Sequence, residues 1–188
     1  MNLRQRARPL HCSNTRARPA AARLCWPVGA AIAVFLALAP APAAARTALG
    51  VFGSWAAFRD ATPRQCYAIA APVQRHRRAR QQPFVAVADR PARDTRSQLH
   101  VRLRDARGPD APITLSIGDR HFRLIGTGAD AWAADARADR AIVAAMRGGP
   151  SLSIETVDSR GRPMVDVYRL EGAATAIDAA ALDCLARP

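Results

Sequence analysis

Gln98-Leu-His-Val-Arg-Leu-Arg104 alternates without a break. Leu99, Val101 and Leu103 fall on one face and His100, Arg102 and Arg104 on the other, the pattern of a strand with one buried and one solvated side. Similar short runs lie on both sides, set apart by turn residues at the spacing of an antiparallel sheet. Toward the N-terminus they are Val51 to Arg59, Gln65 to Val73 and Phe84 to Ala88, with Asp60-Ala-Thr-Pro63 separating the first two. Toward the C-terminus, Ile113 to Ile117 and His121 to Ile125 flank Gly118-Asp119-Arg120, where glycine supplies a hairpin's positive φ. Leu152, Ile154 and Val157 form another strand, which Ser159-Arg-Gly161-Arg-Pro163 turns back into Met164 to Leu170.

Two helices interrupt the strands. Asp139 to Met146 has an acidic start, an apolar face of Ile142, Ala145 and Met146, and a stop at Gly148-Gly149-Pro150. Near the end, Thr175 and Asp178 have capping-box spacing, and Ile177, Ala181, Cys184 and Leu185 follow the spacing of a buried helical face. The expected fold is mainly β: an antiparallel β-sandwich or flattened barrel with two short helices.

Residues 1–45 read as a signal peptide. Arg4, Arg6, Arg8, Arg16, Arg18 and Arg23 form a positive region without an acid, Trp26 to Ala39 a short apolar run, and small residues then offer cleavage after Ala43 or Ala45. The apolar run is shorter than the ~20 residues of a membrane-spanning helix. Cleavage before Arg46 leaves about 143 residues, 46–188, as one domain destined for the periplasm, with secretion or outer-membrane association as variants of that placement. Once the leader is removed, the formal charge of +13 falls to about +7, because all 15 acids follow the leader.

Cys12 and Cys25 leave with the leader. The exported segment then holds Cys66 and Cys184, an even pair in an oxidising compartment, and a disulfide is expected; two separate buried thiols are the alternative. By chain entropy, closing so long a loop contributes at most about 4 to 5 kcal/mol.

Catalytic and cofactor patterns are weak. Ser54 sits in Gly53-Ser54-Trp55 without the G-x-S-x-G elbow of hydrolases. His76, His100 and His121 lack metal-ligand spacing. Asp130, Asp135 and Asp139 are more simply acids near a helix start than a paired-carboxylate site. Gly126-Thr-Gly128 lacks the third glycine and the helix of a phosphate-binding loop, so no cofactor is expected. Trp55, Phe58, Tyr67, Phe122 and Trp132 read as core and sheet-packing residues. Most of the arginines are dispersed, unlike the stripe of a nucleic-acid binder. One cluster stands out: Arg75, His76, Arg77, Arg78 and Arg80, in a loop that could dock anionic lipid headgroups or other phosphate-rich envelope partners.

Three segments carry a resemblance. Phe52-Gly53-Ser54-Trp55 is followed eleven residues later by Cys66-Tyr67-Ala68-Ile69-Ala70. Ala141 to Gly149 leads into Ser151-Leu-Ser-Ile154, and Tyr168-Arg-Leu-Glu-Gly172 leads into Ala173 to Cys184. Together they resemble the invasion-associated locus B family of bacterial periplasmic proteins, with Gly53, Ser54, Trp55, Tyr67 and Gly172 as motif positions. Family members commonly have a cysteine soon after the tryptophan, where this chain has Phe58-Arg59, and others mid-chain, so the resemblance is to a divergent, cysteine-poor member. It implies a secreted β-sandwich without known catalytic residues and with a namesake link to host-cell entry. The expected function is non-enzymatic binding of an envelope component or protein partner. A periplasmic hydrolase built from His100, His121 and nearby acids is one rival, and an inhibitor or chaperone-like module presenting a sheet edge is the other.

Overall fold

The computed structural model describes residues 46–74 and 81–186. The leader and the arginine cluster at 75–80 lie outside the described residues.

The described chain is mainly β, with ten antiparallel strands in one hydrogen-bonded sheet. In chain order the elements are β1 (Arg46–Phe52), β2 (Trp55–Ala61), β3 (Arg64–Ala70), β4 (Phe84–Arg90), β5 (Thr95–Arg102), β6 (Ile113–Ile117), β7 (Arg120–Thr127), β8 (Asp130–Ala133), α1 (Ala136–Gly148), β9 (Ser151–Val157), β10 (Pro163–Arg169) and α2 (Ala173–Ala186). Across the sheet the order is β1-β2-β3-β4-β5-β8-β7-β6-β9-β10. The sheet is not closed by strand pairing, which corrects the barrel alternative: β1 and β10 remain its edges.

Alternation along the strands sets the two faces. Trp55, Ala57, Ala68, Val85, Val87, Leu99, Val101, Leu115, Leu152, Ile154 and Tyr168 all point to one side and share a single buried cluster with the two helices. Helix α1 lies on β5, β7 and β8, and α2 on β1 to β4. Asp135 caps α1 by accepting the Ala138 N–H at 2.7 Å, so that helix begins three residues earlier than its apolar periodicity suggests. The buried stripe of α2 is Ala173, Ala176, Ile177, Ala180 and Cys184. Leu185 is 60% exposed instead of buried. Asp178, expected in a capping box, pairs with Arg147 of α1.

Although β2 and β10 stand near opposite ends of the strand order, they meet. The Trp55 indole N–H donates to the Arg169 carbonyl at 2.8 Å, the Val73 N–H to the Val167 carbonyl at 2.8 Å, and Arg104 to the Val165 carbonyl at 2.9 Å. These alternate carbonyls form the free edge of β10, and each receives a donor from another part of the chain. An edge that would otherwise recruit a foreign strand is thereby covered. The sheet curls until its ends touch without becoming a closed ladder.

At the same junction Gly53, in the β1–β2 turn, lies against the Glu171 carbonyl, which also accepts the Ser54 N–H at 3.1 Å. Gly172 has φ +84°, and a Cβ there would stand 1.9 Å from the Phe52 carbonyl oxygen. Backbone meets backbone with no room for a side chain. Cys66 of β3 and Cys184 of α2 are joined by a disulfide with their Cα atoms 5.8 Å apart, pinning the helix to the inner face.

Gly172→Ala is expected to cost roughly 2 to 4 kcal/mol, combining backbone strain with a clash that only movement of the turn relieves. Gly118→Ala, with positive φ but open space around it, should cost about 1 kcal/mol. Urea unfolding of the two variants checks this, and equal losses would show that the junction is loosely packed.

Candidate binding site

The outer face of the sheet divides into two chemically different halves. On β6, β7 and β9 it presents Thr114, Ser116, His121, Arg123, Ser153 and Glu155. On β2 to β5 and β8 it is aromatic. Strand register places Phe58, Tyr67, Ala88 and Gln98 in one cross-strand row, and Ile69, Ala86, His100, Trp132 and Ile125 in the next. A third row holds Phe84, Arg102 and Asp130. The rings are in contact: Phe58 and Tyr67 centroids are 5.7 Å apart, Phe84 and His100 5.2 Å, and His100 stacks on Trp132 at 5.3 Å.

Between these rings runs an open trough of about 330 Å³. Its floor is Ala86 and Ala88 of β4, its sides are Tyr67 and Ile69 of β3 and His100 of β5, and Phe58, Phe84, Arg46, Gln65 and Arg90 complete the lining. A second depression adjoins it past His100 and Trp132, lined by Arg90, Arg93, Arg96 and Gln98 among others.

Charged groups around the trough are held in place. Arg46 donates to Asp60 at 2.9 Å and sits over the Phe58 and Tyr67 rings. That hydrogen bond holds the Asp60 carboxyl below the ordinary carboxylate value, while burial pushes the Tyr67 hydroxyl up. His100 Nε2 lies 2.7 Å from Asp130 Oδ1, and Arg102 Nε donates to the same oxygen at 2.6 Å. Arg90 donates to the side-chain oxygens of Gln65 and Gln98.

The residues singled out from sequence are distributed differently. Gly53, Ser54, Trp55 and Gly172 converge at the junction of the sheet's two ends, whereas Tyr67 lies in the trough. Trp55 is in the core as expected, but Phe58, Tyr67 and Trp132, expected as core and sheet-packing residues, lie on the outer face. His100 and His121 share that face but are not brought together. His121 is four residues along β7 from Ile125, two strands away from His100, a separation on the order of 16 Å. His121 instead contacts Ser116 Oγ at 2.9 Å. The three aspartates take separate tasks: Asp130 binds His100 and Arg102, Asp135 caps α1, and buried Asp139 accepts the Leu99 N–H at 2.8 Å. Among the described residues no group of three or more His, Cys, Asp or Glu side chains could hold a metal ion. His76, Arg75, Arg77, Arg78 and Arg80 lie outside the described residues.

The fold resembles that of invasion associated protein B from Bartonella henselae. Against that crystal structure the TM-score is 0.51 at 15% identity, over 76% of this chain and 99% of the other. At that identity the likeness is one of fold. No protein-family model matches the chain, and no curated protein does.

Burial raises the Asp139 carboxyl above its ordinary value, against the lowering effect of the Leu99 N–H. The folded protein therefore keeps this proton to higher pH than the unfolded chain, and the ionised carboxylate subtracts from stability as pH rises above 3.8. Asp139→Asn keeps an acceptor for Leu99 and is expected to raise Tm by a few degrees at neutral pH, with the advantage gone in acid. Thermal melts across pH check this; a variant less stable than the parent throughout would contradict it.

Proposed function

We propose that this protein is exported, belongs to the invasion-associated locus B family as a distant member, and acts in the cell envelope by binding rather than by catalysis. The observation that carries the reading is the aromatic half of the outer face. Phe58, Tyr67, Phe84, His100 and Trp132 are gathered there on the side of the sheet opposite the one against which α1 and α2 pack. A sheet needs one apolar face for its core, and a second concentration of rings beside it suits recognition.

Export is supported by the leader-like residues 1–45 and by the Cys66–Cys184 bond, which persists in an oxidising compartment. Kinship is supported by the fold likeness together with Gly53, Ser54, Trp55 and Gly172, which the resemblance marks as motif positions and which meet at one junction. From the Bartonella protein we carry over the fold and no part in invasion; the envelope setting rests on the leader-like segment and the disulfide. The partner in this reading is an envelope protein or an anionic lipid, toward which Arg75, Arg77, Arg78 and Arg80 add positive charge.

Fractionation of a Gram-negative host expressing the tagged full chain tests the reading. The expected product is periplasmic, begins at Ala44 or Arg46, and reacts with alkylating reagent only after reduction. An untrimmed cytoplasmic product with all four cysteines as free thiols would overturn it.

A further inference from the structure

The trough has the width of one ring. Ala86 and Ala88, two neighbouring outward residues of β4, rise far less from the sheet than Tyr67 and Ile69 on β3 or His100 on β5. Those flanking strands are two spacings apart, about 10 Å, which admits a single ring or a single extended chain between the side chains. A volume of about 330 Å³ suits a disaccharide-sized ligand.

Its charge is one-sided. Arg46 is matched by Asp60, and Asp130 serves both His100 and Arg102. Arg90 has no matching acid among the described residues. Its Nε and one terminal nitrogen donate to the amide oxygens of Gln65 and Gln98, which orient the guanidinium without neutralising it. Its other terminal nitrogen has no partner among the described residues. The adjoining depression is mixed in charge, lined by Arg93 and Arg96 together with Asp94, Asp135 and Asp139, so the unmatched charge of the trough itself is Arg90. A planar guanidinium fixed in this way is built to take a carboxylate or phosphate.

Polar groups sit among the rings, which decides against an acyl chain. A hydrocarbon laid along the floor would cover Arg90, Gln98 and His100 without hydrogen-bonding them, and that desolvation is costly. A sugar ring has an apolar C–H face for the aromatic side chains and hydroxyls for the polar ones.

We propose that this trough binds an acidic saccharide. One ring lies over Ala86 and Ala88 between Tyr67 and His100, its hydroxyls meet Gln98 and His100, and its carboxylate is held by Arg90. The proposal rests on the reading of the protein as an envelope binding module and names the ligand class of that module.

Titration of the purified protein with digalacturonate, and with the neutral disaccharide galactobiose of the same linkage, followed by calorimetry, tests it. Saturable binding of digalacturonate is expected, with galactobiose at least tenfold weaker. Arg90→Gln should bring digalacturonate down to the galactobiose level. Arg90→Lys, which keeps the charge but not the planar fork, should bind digalacturonate more weakly than the parent and more tightly than Arg90→Gln, which separates lost charge from misfolding. His100→Ala should weaken both sugars, and Arg123→Gln, on the polar half of the sheet, neither. Absence of saturable binding, an Arg90→Gln variant that binds as the parent does, or competition at equal strength by hexaglutamate or dodecanoate would each overturn the proposal. A protein that is exported and oxidised but does not bind digalacturonate removes the saccharide and leaves the envelope reading standing.

Discussion

The free edge of β10 is the constraint on which the architecture depends. A long open sheet ends in unpaired carbonyls, and leaving them buried or exposing them to other chains is costly. Here Trp55, Val73 and Arg104 supply donors to alternate carbonyls along that edge. To do so the β1–β2 turn must come within backbone contact of the β10–α2 joint, and glycines at 53 and 172 make that approach possible. Once the ends meet, the inner face is sealed around α1 and α2, and Trp55 fills the junction with its whole side chain buried. Truncating a buried tryptophan typically costs about 3 to 5 kcal/mol, and here it would also orphan a carbonyl.

Closing the inner face leaves the outer face free to diverge. Both halves of the sheet use the same alternation, yet most outward positions on β6, β7 and β9 are Ser, Thr, His or charged residues, whereas the outward rings are gathered on β2 to β5 and β8. The disulfide secures α2 behind the aromatic half, so the strands that carry the trough are backed by a covalently attached helix. Rigid backing of this kind favours a preformed site, in which less ordering entropy opposes binding.

Much of the fold was legible because alternation is a local property. The inward and outward residues of Gln98 to Arg104 and the whole of Ile113–Ile117 were readable from sequence. Other elements were hidden by weak local patterns. The run from Val51 to Arg59 reads as one strand, but Gly53-Ser54 turns it into β1 and β2, because Gly53 adopts positive φ against Glu171, a contact 118 residues away in sequence. Strand β8 is four residues of Asp, Ala, Trp and Ala, too short and too alanine-rich to declare itself before β5 and β7 pair with it. In α2 the disulfide partner Cys184 belongs to the alanine-rich stripe, and Leu185, one residue on, turns outward. The trough was less legible still, because Tyr67, Ala88 and His100 become neighbours only through the order β3-β4-β5. Outward parity within each strand was nonetheless a usable signal that Phe58, Tyr67 and Trp132 did not belong to the core.

Native-state hydrogen exchange at the Trp55 indole N–H tests the central claim most directly. If this bond closes the sheet, the indole proton should exchange only through global unfolding, as slowly as the amides of β4 and β5. Exchange as fast as that of an exposed strand edge, in the folded and oxidised protein, would mean that the ends of the sheet part freely and that the closure does not organise the fold.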